Sequence, residues 1–139
     1  MFQLDSRLAN DTVKIGSMAL CEVLLAKDAN YPWLILVPRR ADISEVYQLS
    51  DGDQQLLMQE SAVVAAKMSE YFGADKMNVA ALGNVVKQLH VHHIARFELD
   101  AAWPAPVWGK VAATEYSETM LEALCTDLRR VFEGRLAFS

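Results

Sequence analysis

Residues 33–38, WLILVP, are an unbroken apolar run of strand length. Pro38 closes it, because proline has no N–H to give to a sheet ladder. Residues 19–26, ALCEVLLA, form a second such run, and only KDANYP separates the two. Asp28, Asn30 and Pro32 are turn formers. Two short strands joined by so brief a connection are expected to pair antiparallel.

The rest of the chain alternates between helical and extended patterns. Residues 43–49 read as a short helix. Ser50 or Asp51 can cap a longer one that reaches Phe72 and stops at Gly73. Leu57, Val64, Met68 and Tyr71 lay an apolar stripe along it. Residues 76–82 read as a third strand, broken by Gly83 and Asn84. Residues 85–99, VVKQLHVHHIARFEL, alternate as a fourth strand. The segment WPAPVWG, 103–109, is too proline-rich for regular structure. Ser117 can cap a last helix ending near Gly134, with Leu121, Leu124, Cys125, Leu128 and Val131 on its apolar face. Glu118 in its first turn and Arg129 and Arg130 in its last suit the helix dipole. Strand-strand-helix-helix-strand-strand-helix is the order of an α+β fold built on an antiparallel sheet.

The 139 residues suit one domain, residues 1–139, and a hydrophobic content of 53% against 22% charged residues permits a sizeable core. The net charge of −5 argues against nucleic acid as a partner, since duplex binding needs a basic surplus. Cys21 and Cys125 lie far apart among apolar neighbours and read as buried free thiols. The first residues lack a basic segment followed by an apolar one, so no signal peptide is expected. No run is apolar enough to cross a membrane. The cytoplasm is the expected location.

All three histidines fall within QLHVHHIAR, residues 88–96. On a strand, alternate side chains share a face. Gln88, His90, His92 and Ile94 then point one way, and Leu89, Val91 and Ala95 the other, towards the core. His90 and His92 would stand roughly 6–7 Å apart at Cα, while His93 points among apolar residues. Three readings are open. Two imidazoles at i and i+2 can reach one metal, yet zinc takes three or four ligands, and neither cysteine nor carboxylate is near in sequence. The same pair can line a polar pocket. A lone histidine such as His93 more often packs as a hydrogen-bonded core residue.

NVAALGNVVKQLHVHHIAR, residues 78–96, resembles the signature of the histidine triad (HIT) family, His-φ-His-φ-His-φ-φ with φ apolar. PWLILVPRR, residues 32–40, resembles the family's earlier strand, and WPAPVWG its Trp-Pro tail. The resemblance covers residues 19–109, with a C-terminal helix at 117–133. It puts Gln88 at the first triad position, His90 at the second and His92 at the third. His93 replaces an apolar residue, Trp33 stands where many relatives carry a further histidine, and Val85 where some carry serine.

This resemblance implies a five-stranded antiparallel sheet, joined in a homodimer into a ten-stranded one. It also implies a hydrolase or transferase acting at the α-phosphate of a nucleotide conjugate, a phosphoramidate or a dinucleoside polyphosphate. His90 would be the nucleophile and His92 a charge-assisted donor to phosphate and leaving group, with Gln88 orienting the site. Asn78 and the main chain at Asn84 and Val85 would bind phosphate. Asp28 and Asn30 would bind ribose, and Leu25, Trp33 and Leu36 would wall the base. Arg39, Arg40, Lys87 and Arg96 are candidates to steer phosphate. The expected partner is a small nucleotide, with no cofactor, metal, nucleic acid or membrane. A nucleotide-binding protein with little turnover is the alternative.

Overall fold

The computed structural model describes all residues 1–139. A five-stranded sheet in the order β1-β2-β3-β5-β4 organises the chain, with β1 at Thr12–Ser17, β2 at Cys21–Ala26, β3 at Trp33–Pro38, β4 at Lys76–Ala80 and β5 at Val91–Arg96. Every neighbouring pair is antiparallel. The expected pairing of the two apolar runs is present: Cys21 lies opposite Pro38 and Leu25 opposite Leu34. Side-chain alternation divides the sheet into two faces.

One face carries Ile15, Val23, Leu25, Leu34, Leu36, Val91 and Ala95, which enter the main core. Two helices cover it, α2 at Asp51–Phe72 and α3 at Glu118–Phe132. Ser50 caps α2 by accepting from the Asp53 N–H, and Gly73 ends it with φ +66°, a left-handed conformation that costs glycine little. Leu57, Val64 and Met68 are buried on α2, while Tyr71 at its end is exposed. Ser117 caps α3, which buries Cys125, Leu128 and Phe132. Between them these helices also bury one acid. Glu60 of α2 is fully enclosed and accepts from the main-chain N–H groups of Leu20 and Cys21 at 2.7 and 2.9 Å. That ties the helix to the β1–β2 turn. Burial, with Glu60 beside it, drives the Cys21 thiol pKa well up, so this cysteine stays protonated and inert.

The other face is covered by the N-terminal arm rather than by a long helix. A short helix, α1 at Ser6–Asp11, follows Asp5, whose carboxylate accepts from the Arg7 N–H. Leu8 of α1 packs with Leu24, Ala26, Ile35 and Val37, and Phe2 and Leu4 border the same cluster. Neither α1 nor β1 follows from the alternation patterns, because both are only six residues long and β1 is interrupted by a bulge between Lys14 and Gly16. The bulge frees main-chain carbonyls, and Arg129 of α3 donates to those of Ile15 and Lys14.

Two expected elements are shorter than the sequence suggests. Residues 43–49 hold only one 3-10 turn, Val46–Gln48. The strand expected over residues 85–99 is confined to Val91–Arg96. Its partner β4 ends at Ala80, opposite His92. Residues 81–90 therefore have no strand to pair with and form the β4–β5 connection.

Candidate functional site

The β4–β5 connection and the second face of the sheet build the site together. Alternation along β5 brings His92 and Ile94 onto this face, and pairing puts them beside Ile35 and Trp33 of β3. His90 lies one residue before β5, and its ring centroid is 4.8 Å from that of His92. A cavity of about 470 Å³ opens beside both. Leu8, Ala26, Trp33, Ile35 and Val86 supply its apolar lining, and Asn10, Lys27 and Asp28 its polar rim.

The three imidazoles are held in different states. His90 Nδ1 lies 2.7 Å from the Gln88 carbonyl. A carbonyl only accepts, so Nδ1 carries a proton, and in the neutral ring the lone pair is on Nε2. No protein group bonds to that Nε2. His92 Nε2 lies 2.9 Å from the Leu82 carbonyl and must donate to it, while Nδ1 accepts from the Trp33 indole N–H at 3.1 Å. Both His92 nitrogens are engaged. Burial, reinforced by the neighbouring His90, lowers its pKa to about 4. His93 points into the core and is fully enclosed. It donates from Nδ1 to the Val91 carbonyl and accepts at Nε2 from the Ser61 hydroxyl at 2.7 Å. Burial lowers its pKa to about 4 as well. His93 is the packing histidine that its side of the strand implies.

Close approach fixes the loop against His90. A Cβ on Gly83 would sit 2.6 Å from the Val86 carbonyl oxygen and 3.1 Å from His90 Cε1, so only glycine fits without displacement. The Asn84 and Val85 N–H groups bond to no main-chain acceptor. Val85 itself is exposed.

The remaining expected site residues divide. Trp33 and Asp28 line the cavity with His90 and His92. Gln88 turns away. Its Oε1 accepts from the Asp5 N–H at 2.8 Å and its Nε2 donates to the Gln3 carbonyl at 2.9 Å. Because the strand starts only at Val91, strand parity does not reach Gln88, and its amide pins the N-terminal arm instead. Asn30 is turned to the chain beyond, donating to the Ala112 carbonyl and accepting from Thr114. Asp28 accepts from the Asn30 and Thr114 N–H groups through one oxygen. Leu25 and Leu36 lie in the main core, one residue out of phase with the site face, where Ala26 and Ile35 stand.

Asn78 joins a buried clamp around Arg96. The guanidinium donates to both Asp100 oxygens at 2.8 and 3.1 Å, to Asn78 Oδ1 at 2.7 Å and to the Ala105 carbonyl at 2.8 Å. It lies between the rings of Tyr31 and Trp103. Arg96 therefore organises residues 97–105 and does not steer phosphate. Arg39 is likewise committed to the carbonyls of Met18, Ala19 and Leu20, and Arg40 to Asp53. Lys87 is exposed and does not line that cavity, but it lines a smaller one of about 80 Å³ with Gly83, Asn84, Gln88 and His90.

Three contributors escape the sequence patterns. Trp108 packs edge-on against both His92, at 5.1 Å between centroids, and Trp33, at 5.9 Å. Lys27 is the cation of the cavity rim and donates to the Asn10 carbonyl. Leu8 belongs to an arm whose apolar spacing, Phe2, Leu4 and Leu8, was the available signal.

An unpartnered imidazole nitrogen on a ring that lines a half-apolar cavity, on one face of an antiparallel α+β sheet, is what this site offers a small molecule. The HIT domain family model matches residues 7–99, and the chain belongs to the histidine triad (HIT) family. It is 51% identical to a histidine triad protein of Marinobacter aquaeolei VT8, over 96% of this chain and 97% of that one, with a TM-score of 0.93. A histidine triad protein of Bradyrhizobium japonicum is 49% identical over 93% and 96%, with a TM-score of 0.90. One of Sinorhizobium meliloti 1021 is 47% identical over 96% of each chain, also at 0.90. No curated protein matches the chain. No helix is long and apolar enough to cross a membrane.

Proposed function

We propose that this protein is a nucleotidyl hydrolase or transferase that acts at the α-phosphate of a nucleotide conjugate through a nucleotidyl-His90 intermediate. The observation that carries the reading is the His90 tautomer. The Gln88 carbonyl holds the proton on Nδ1, and the lone pair on Nε2 is left without a protein partner on a ring that lines the cavity. An oriented neutral imidazole is what in-line attack on phosphorus requires. As Nε2 bonds to phosphorus the ring becomes cationic, and the same carbonyl stabilises that charge.

The cavity is large enough for a nucleoside monophosphate group. Ala26, Trp33, Ile35 and Leu8 offer apolar contact to a base. The second Asp28 oxygen can accept from ribose hydroxyls. Lys27 and the Asn84 and Val85 N–H groups are the donors for phosphate. In the expected homodimer, β4 is the strand that would extend the sheet. It is an outer strand with Val79 exposed, whereas the Ser17 end of β1 is already paired with Ser139.

The second reading, a nucleotide binder with little turnover, is favoured by one feature: Gln88 and His92 both have their hydrogen-bonding groups engaged within the protein. Turnover of adenosine conjugates by the wild type and by His90→Ala separates the two. The proposed reading expects product from the wild type and a loss of at least about 10³-fold in the variant. Equal nucleotide affinity in both proteins with no product from either supports the binder.

A further inference from the structure

We propose that Trp33 is a positioning residue that locks His92 as a neutral hydrogen-bond acceptor, and that the site in consequence prefers nucleotide conjugates whose leaving group departs without a proton. Those are phosphoanhydrides and mixed carboxylic–phosphoric anhydrides; phosphoramidates, which release an amine, are disfavoured. The proposal rests on the reading of His90 as nucleophile.

The lock is built from two partners that each work in one direction only. The Trp33 indole N–H can only donate, and the Leu82 carbonyl can only accept. The ring between them must present its lone pair at Nδ1, 3.1 Å from the indole nitrogen, and its proton at Nε2, 2.9 Å from the carbonyl oxygen. A second proton at Nδ1 would oppose the indole N–H, donor against donor. Neither partner is placed to yield. Trp33 belongs to β3 and packs edge-on against Tyr31 and Trp108. Leu82 precedes Gly83, which the Val86 carbonyl and His90 enclose. Burial of His92 acts in the same direction.

The chemistry follows from the proton count. As His90 Nε2 bonds to the α-phosphorus, the bond from phosphorus to the leaving atom breaks and its electron pair leaves with that atom. A phosphate or carboxylate oxygen accepts the pair as a stable anion. An amine nitrogen must gain a proton as the P–N bond breaks. His92 has no N–H available for it, and Val85 brings no hydroxyl from the loop. Asp11 and Asp28 on the rim add acceptors, and Lys27, held at the rim by the Asn10 carbonyl, is left to pair with the phosphate charge. In the second step a water oxygen bonds to phosphorus and the P–Nε2 pair returns to His90. One water proton stays on the product phosphate and the other passes to solvent.

Nitrogen-15 NMR of the histidine rings, alongside kcat/KM for adenosine 5′-phosphoramidate and for a diadenosine polyphosphate, tests the proposal in wild type, Trp33→Phe and His90→Ala. The expected wild-type result is a His92 ring protonated only at Nε2 from pH 8 to 5, with a preference for the polyphosphate of about 100-fold, the usual worth of a general acid. In Trp33→Phe the His92 titration midpoint should rise by about one pH unit as Nδ1 is released, and the preference should narrow. A wild-type His92 that titrates at its ordinary pH near 6.5 overturns the lock without any variant. Equal His90-dependent turnover of both substrates overturns the leaving-group claim. Turnover of both that survives His90→Ala, or no turnover of either, instead overturns the nucleotidyl-transfer reading and leaves the NMR result to decide the lock.

Discussion

His90 keeps Nε2 free because a main-chain carbonyl two residues back holds its other nitrogen. Its neighbour His92 has an indole on one nitrogen and a carbonyl on the other. Hydrogen-bond partners thus leave one ring with an unpartnered nitrogen and its neighbour, 4.8 Å away between centroids, with none. Gln88 shows the same dependence on partners. Its side-chain amide pairs with the main chain of Gln3 and Asp5 as a strand neighbour would. Gln88→Ala removes both bonds and leaves Leu8 as the arm's main anchor. Amide exchange over residues 2–8 should then accelerate by about tenfold, corresponding to roughly 1–2 kcal/mol of lost local stability. Unchanged exchange in that segment would show that the apolar contacts of Phe2, Leu4 and Leu8 suffice.

At the level of elements, the sequence discloses what repeats and hides what is tied together from a distance. The β2–β3 pair, α2 with its Ser50 and Gly73 ends, and α3 behind Ser117 were legible from apolar spacing and capping residues. Placing His92 on one face and His93 on the other was legible too, because strand parity holds from Val91 onward, and His90, one residue before the strand, still falls beside His92. Parity failed for Gln88, since β4 stops at Ala80 and leaves residues 81–90 without a neighbouring strand. Parity also failed for Leu25 and Leu36, where choosing the wrong face by one residue exchanges core for site. The roles of Arg96, Asn78 and Trp33 could not be read locally. Each depends on a partner brought by another segment: Asp100 and Ala105 for Arg96, Arg96 for Asn78, and His92, 59 residues away, for Trp33. Family resemblance supplied the proposed nucleophile, and hydrogen-bond geometry the ring tautomers.

For the molecule as a whole, the buried histidines make stability depend on pH. An unfolded histidine takes up a proton near pH 6.5, whereas folded His92 and His93 resist until about pH 4. Between those limits the unfolded chain binds more protons than the native one, so stability falls as pH falls. Two such groups give a slope of about 2–3 kcal/mol per pH unit in that window. Asp100 extends the trend, because Arg96 holds its carboxyl well below the usual range and its contribution starts to disappear below about pH 4. Calorimetry from pH 7.5 to 4.5 should show Tm constant above pH 7 and falling steadily below 6.5, with a shallower fall in His93→Gln. A flat Tm across that window would mean that these rings protonate in the folded state.

Rapid mixing with an adenosine polyphosphate conjugate, quenched into alkaline denaturant to preserve a P–N bond and read by peptide mass spectrometry, addresses the nucleophile itself. One adenylyl group, formed at millisecond times, is expected on the peptide carrying residues 88–96 and localised to His90. Adenylyl transfer to His92 or His93, or product release with all three rings unmodified at every time point, would contradict His90 as the nucleophile.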